Sequence, residues 1–170
     1  MLVTPKDRAI IRELAAQVAE VAALPAQQET IDCWKALNRL EPVRPMVMID
    51  QIPWHEMDVD GELELHTEDP LCRQIETTLR RRLYRWRHMP VDWAIDPFVD
   101  VPKVIHGAHF GIQVMEETAV TDARNDVVGH YYLDQLQTED DLDKIRYPEV
   151  TLDQEATDLA EAKAHELLDG

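Results

Sequence analysis

The run Arg44-Pro45-Met46-Val47-Met48-Ile49-Asp50-Gln51 sets the terms for the rest of the chain. Four consecutive apolar residues stand between prolines on one side and a polar cluster on the other, the pattern of a strand buried on both faces in a parallel sheet. Helical patterns lie on either side of it. Upstream, Thr4-Pro5-Lys6-Asp7 supplies an N-cap, a proline at the first helical position and an acid in the first turn, and Ile11, Leu14, Ala15, Val18 and Ala22 recur at helical spacing. This first helix is expected to run to Ala23 and to be ended by Pro25; a second over 29–40 would bury Ile31, Trp34, Leu37 and Leu40. Downstream, Asp69-Pro70 opens a helix with Cys72, Ile75, Leu79, Leu83 and Trp86 on one face, ending near Met89-Pro90. Asp92-Trp93-Ala94-Ile95-Asp96-Pro97-Phe98-Val99 then reads as a second core strand, with Pro97 near its end, where no ladder donor is needed. A right-handed crossover through the 69–89 helix would make 46–49 and 94–98 adjacent and parallel.

The remainder adds smaller pieces. Two extended stretches, 110–117 and 127–136, flank the turn-like Asp122-Ala123-Arg124-Asn125-Asp126 and predict an antiparallel hairpin. Thr138-Glu139-Asp140-Asp141 caps a short helix stopped by Tyr147-Pro148. Thr151, with Gln154 three residues on, starts a last helix that carries Ala156, Leu159, Ala160, Ala164, Leu167 and Leu168 and ends at Gly170.

Composition bounds the function. The chain has 170 residues, 34 acidic against 17 basic, for a formal net charge of -17, a field that repels phosphate backbones and anionic membranes. Neither nucleic acid nor a membrane is an expected partner. Cys33 and Cys72 have neither metal-ligand spacing nor the density of a disulfide framework, which suits reduced thiols. The charged N-terminus lacks the apolar core of a signal peptide, and no apolar run approaches membrane-spanning length. The expected location is the cytoplasm.

Three stretches, in order, resemble the uroporphyrinogen decarboxylase (URO-D)/corrinoid methyltransferase superfamily. Residues 44–51 are similar to that family's first barrel strand, a proline-led apolar run ending in Met-Arg-Gln. Residues 91–95, continuing to Asp100-Val101-Pro102, are similar to its second strand, which leads to a catalytic aspartate and a proline. Gln137-Thr138-Glu139-Asp140-Asp141-Leu142 is similar to the Thr-Glu-Glu-Asp-Leu helix start before its third strand. The resemblance implies an α/β fold: a helical leader over 1–43, then over 44–170 the N-terminal portion of a TIM (β/α)₈ barrel with a hairpin insertion. A whole barrel takes about 250 residues, so this portion would stop before the third strand.

The departures point to a branch. True decarboxylases hold substrate propionates with two arginines after the first strand, and the matching positions here are Asp50 and Trp54. A carboxylate facing carboxylates repels them, which argues against porphyrinogen decarboxylation. Relatives without those arginines include zinc-dependent methyltransferases that exchange methyl groups with a corrinoid protein. Zinc and a corrinoid partner are thus implied for a full-length relative, but the His and two Cys zinc ligands would lie in later strands, so no metal site is expected within this chain.

Asp100 is the candidate catalytic carboxylate, since active sites of such barrels lie at the carboxyl ends of strands. Asp50, Gln51, Trp54, His55 and Glu56, gathered after the first strand, are the candidate ligand contacts; the alternative is a capping loop with an aromatic plug. His106, His109 and His130 suggest zinc by residue type but not by spacing. The basic run Arg80-Arg81-Arg82, with Arg85, Arg87 and His88, sits at a helix C-terminus, where cations are favoured, and pairing with the chain's own acids is the expectation. Three functions compete: part of a methyltransferase-like barrel, inactive alone, that forms a homo-oligomer or is completed by another chain; a non-enzymatic oligomeric interaction module; and a small metallo-enzyme using the histidines. A URO-D-related lyase stands behind the first of these.

Overall fold

The computed structural model describes residues 3–41, 43–119 and 128–169. Its first helix, α1 (Pro5–Ala22), starts as its sequence dictates: Thr4 is extended, its hydroxyl accepts the Asp7 amide at 3.0 Å, and Pro5 occupies the first turn. Pro25 does not merely end α1; it starts α2 (Pro25–Asn38). A proline forces the preceding residue out of helical geometry, and Leu24 is extended, yet its own fixed φ suits a helix's first position. The end of α2 is a Schellman turn: Leu40 N–H donates to Leu37 O at 2.9 Å, Glu41 N–H to Ala36 O at 3.0 Å, and Leu40 takes φ 60°. The stripe expected on α2 is therefore incompletely covered, since Leu40 is 93% exposed.

The longest helix, α4 (Pro70–His88), follows the one-turn α3 (Trp54–Met57). Asp69 caps α4 by accepting the Leu71 and Cys72 amides at 2.9 and 3.3 Å. Cys72, Ile75, Leu79 and Leu83 are buried and pack with Ile11, Leu14 and Val18 of α1, with Ile95, and with Leu167 of α5 (Gln154–Leu168). The cap of α5 is Asp153, whose carboxylate accepts the Ala156 amide at 2.9 Å, rather than Thr151. Gly170, the expected end of this helix, lies outside the described residues. The chain divides into two compact units. The first comprises Met1–Ile52, Asp58–Val101 and Ala160–Gly170 and holds this core; the second comprises Pro53–Met57 and Pro102–Leu159.

The described strands are short and all in the second unit. β1 (Ile105–His106) pairs antiparallel with β4 (Thr151–Leu152), Ile105 opposite Leu152. β2 (Glu116–Ala119) pairs antiparallel with β3 (Gly129–Tyr132), Glu116 opposite Tyr132. This is the expected hairpin, shorter than its apolar stretches, and its turn at 122–126 lies outside the described residues. The short helix after Thr138 is a 3₁₀ helix, Glu139–Lys144, whose Asp141 carboxylate reaches back to accept the Thr138 amide and hydroxyl.

The fold is thus mixed α and β, but the two expected core strands are not strands. Residues 46–49 and 94–98 are irregular, and both described sheets are two-stranded and antiparallel. Side chains have captured the groups a ladder would use. The Ile95 amide donates to the buried Gln27 carboxamide at 2.7 Å, Trp34 Nε1 donates to Asp92 O at 2.7 Å, and the Arg82 guanidinium takes the carbonyls of Asp96 and Phe98. Val47, Met48 and Phe98 are more than half exposed. An apolar run between breakers has the same sequence appearance whether a sheet or an uncovered extended segment results.

Candidate functional site

The two stretches read as strands do meet, at Asp92. Its amide donates to Val47 O at 2.9 Å, its carboxylate accepts the Val47 amide at 2.7 Å, and both carboxylate oxygens take the fork of the Arg44 guanidinium. Arg44 and the Val47 amide hold the Asp92 carboxyl down to about 2, and the same pair raises Arg44. Asp92 also fixes Trp34 through its carbonyl. Beside this knot lies a groove of about 390 Å³ walled by Ile31, Trp34, Met48 and Trp93. The Trp93 indole N–H is buried with no acceptor among the described residues.

Trp93 also carries the Arg85 guanidinium, 4.3 Å from its ring centroid. Burial depresses Arg85, neighbouring Arg81 and Arg82 add to that, and the nearby charge of Asp50 opposes it. Three other members of the basic run pair with the chain's own acids, the outcome expected from the sequence. Arg80 pairs at 2.8 Å with Glu76, Arg87 with Glu62 at 2.9 Å, and His88 with Glu62 at 2.6 Å.

The candidate residues divide between the two units. Asp50 and Gln51 are exposed in the first unit, Gln51 with φ 54°, and Asp50 accepts the Gln51 amide at 2.8 Å. Trp54, His55 and Glu56 form α3 in the second unit; Trp54 and His55 are half-buried, and His55 Nε2 is 3.4 Å from a Glu56 oxygen. Asp100 is exposed, next to the Pro97–Phe98–Val99 wall of a cleft of about 310 Å³ that also includes Arg12 and Arg82. Those two arginines serve backbone carbonyls, Arg12 those of Glu166 and Leu167. The histidines have separate partners: His106 lies 3.7 Å from Asp153, His130 lies 2.9 Å from Glu116, and His109 Nδ1 accepts the Gly111 amide at 3.3 Å. Among the described residues no three His, Cys, Asp or Glu side chains gather as a metal requires, so they do not fit the zinc of the resembling methyltransferases. Burial and the charges of Asp69 and Asp7 push the Cys72 thiol up to about 11, far from a reactive thiolate.

Asp92, Arg44, Trp93 and Gln27 went unnoticed in the sequence as site residues. The one available signal was the opposite charge of Arg44 and Asp92 at equivalent points of the two apolar stretches. No helix of the described residues is long and apolar enough to cross a membrane. Comparison with family models, curated proteins and solved structures finds no match to this chain.

Proposed function

We propose that this chain is the opening part of a URO-D-like, corrinoid/zinc-dependent methyltransferase-type barrel, inactive by itself and completed by further polypeptide. The observation that supports this reading is the Asp92 knot. It ties together two of the three stretches that carry the resemblance, while Val47, Met48 and Phe98 stay more than half exposed and the Trp93 N–H has no described acceptor. Exposed apolar side chains beside a buried indole N–H that lacks an acceptor are what further polypeptide would cover. The residues present supply a binding wall, and no chemical step is assigned to them.

The test has two arms. Purified chain should neither decarboxylate uroporphyrinogen nor demethylate methylcobalamin with a thiol; product above a heat-killed control in either assay overturns the claim of inactivity. A second polypeptide carrying the remaining strands of a URO-D-type barrel should then bind and slow hydrogen exchange across 46–49 and 93–98. Binding without protection there, or no binding, sinks the completion reading. The alternative, a non-enzymatic module that pairs with its own copies, draws on the exposed Phe110, Val114, Met115, Tyr131 and Tyr132 of the second unit. Self-association that leaves 46–49 and 93–98 unprotected would favour it.

A further inference from the structure

Within the second unit, two chain segments are tied at both ends and open between. At one end Gly107 takes φ 72° and approaches the Glu149 carbonyl so closely that a Cβ there would lie 2.2 Å from the oxygen. Just beyond, β1 pairs with β4. At the other end Gly111 takes φ 84°, a Cβ on it would lie 2.5 Å from the Lys144 carbonyl, and the Arg146 amide donates to Phe110 O at 2.8 Å. Neither glycine can be replaced without moving backbone, so both ties depend on bare Cα atoms. Between them lies a hollow of about 730 Å³ lined by His109, Lys144, Arg146, Tyr147 and Glu149. Its size suits a small ligand.

The lining is rich in donors. Because His109 Nδ1 accepts the Gly111 amide, the neutral imidazole carries its proton on Nε2, a donor left for another molecule. Lys144 is held in place by Asp141 at 2.6 Å and by the Gln135 carbonyl at 3.0 Å. The Arg146 guanidinium has no hydrogen-bond or ion-pair partner among the described residues, and Tyr147 is 95% exposed. Elsewhere most of the basic groups are consumed by carboxylates or carbonyls, as in the α4 run. A guanidinium uncommitted elsewhere, an imidazole N–H and a phenol supplied by residues that line one hollow on a backbone-fixed frame suit the planar or tetrahedral oxygens of an oxyanion.

We propose that this hollow binds the oxyanion group, carboxylate or phosphate, of a small molecule, with Arg146 as the main anchor and His109 and Tyr147 as additional donors. The proposal is independent of the barrel reading, since it uses residues of the second unit alone. The test is an NMR titration of the full chain with inorganic phosphate in one arm and acetate in the other, at constant ionic strength. Saturable shifts at residues 107–111 and 144–149 are expected, with Arg146→Met weakening binding by about tenfold or more, the value of one charge-assisted hydrogen bond. Tyr147→Phe, which alters a nearly fully exposed side chain, should weaken it less and leaves folding intact. Preference for one anion identifies the ligand's acidic group. No saturable shift up to millimolar anion, or wild-type affinity in Arg146→Met, overturns the proposal.

Discussion

Glu76 shows how this acidic chain keeps a charge in its interior. The carboxylate is fully buried and accepts the His66 and Thr67 amides, the Thr67 hydroxyl and Arg80 Nε. Burial pushes its carboxyl up, but these donors outweigh burial and hold it below the ordinary carboxylate range. In Glu76→Gln, an amide NH₂ would face donors where the carboxylate offered acceptors, and we expect a loss of about 3 kcal/mol in urea unfolding at neutral pH. Asp69 is depressed as well: burial raises it, and Lys163 and the Leu71 and Cys72 amides more than compensate. Arg87 and His88 lower Glu62, and Arg44 lowers Asp92. A depressed carboxyl stabilises the fold above its unfolded value, near about 4, and that contribution fades as pH falls through the folded value. Melting temperature should therefore drop below about pH 4.5, less steeply in Glu76→Gln than in the parent. A flat profile down to pH 3, by circular dichroism, would contradict this assignment.

At the scale of elements, Leu40 offers a test in the opposite direction. It occupies the left-handed position of the Schellman turn after α2 and is almost wholly exposed, so it carries the cost of a Cβ at positive φ without burying its side chain. Leu40→Gly should raise stability by about 0.5–1 kcal/mol, despite glycine's greater freedom in the unfolded chain. A loss in chemical unfolding would show that Leu40 is covered in solution. The same residue marks where sequence reading failed: Leu37 and Leu40 continue a helical stripe on paper, but a stripe does not say that anything covers it. Helices α1 and α4 were legible because Thr4-Pro5 and Asp69-Pro70 are local devices that act within one turn. The strands at 46–49 and 94–98 were not, because their fate rested on side chains far along the chain, Gln27, Trp34 and Arg82, bonding to backbone a ladder would have used. Nearness in sequence groups Asp50 and Gln51 with Trp54, His55 and Glu56, and the chain passes from one unit to the other between them, a division no local pattern marks.

For the whole molecule, the relevant balance is between charge and uncovered apolar surface. Val47, Met48, Phe98, Phe110, Val114 and Tyr131 are each more than half exposed, on a chain of formal net charge -17. Like charge opposes association at low ionic strength, and screening shortens its reach to about 10 Å at 0.1 M salt. Self-association should consequently strengthen as salt rises. Light scattering across a salt series checks this, and a 19.6 kDa particle at high salt and high concentration would defeat it. The core of the first unit has a further consequence, one of timing. Arg12 of α1 grips the Leu167 carbonyl across a separation of 155 residues, and Leu167 is itself fully buried in that core. The entire second unit is threaded between these partners. During synthesis at roughly 5–20 residues per second, α1 would wait about 8–30 s for the segment that seals it. Over that interval Ile11, Leu14 and Val18 have α4 and Ile95 but not Leu167 to shelter them, and a nascent chain stalled before residue 160 should be the form most readily seized by chaperones or cut by proteases.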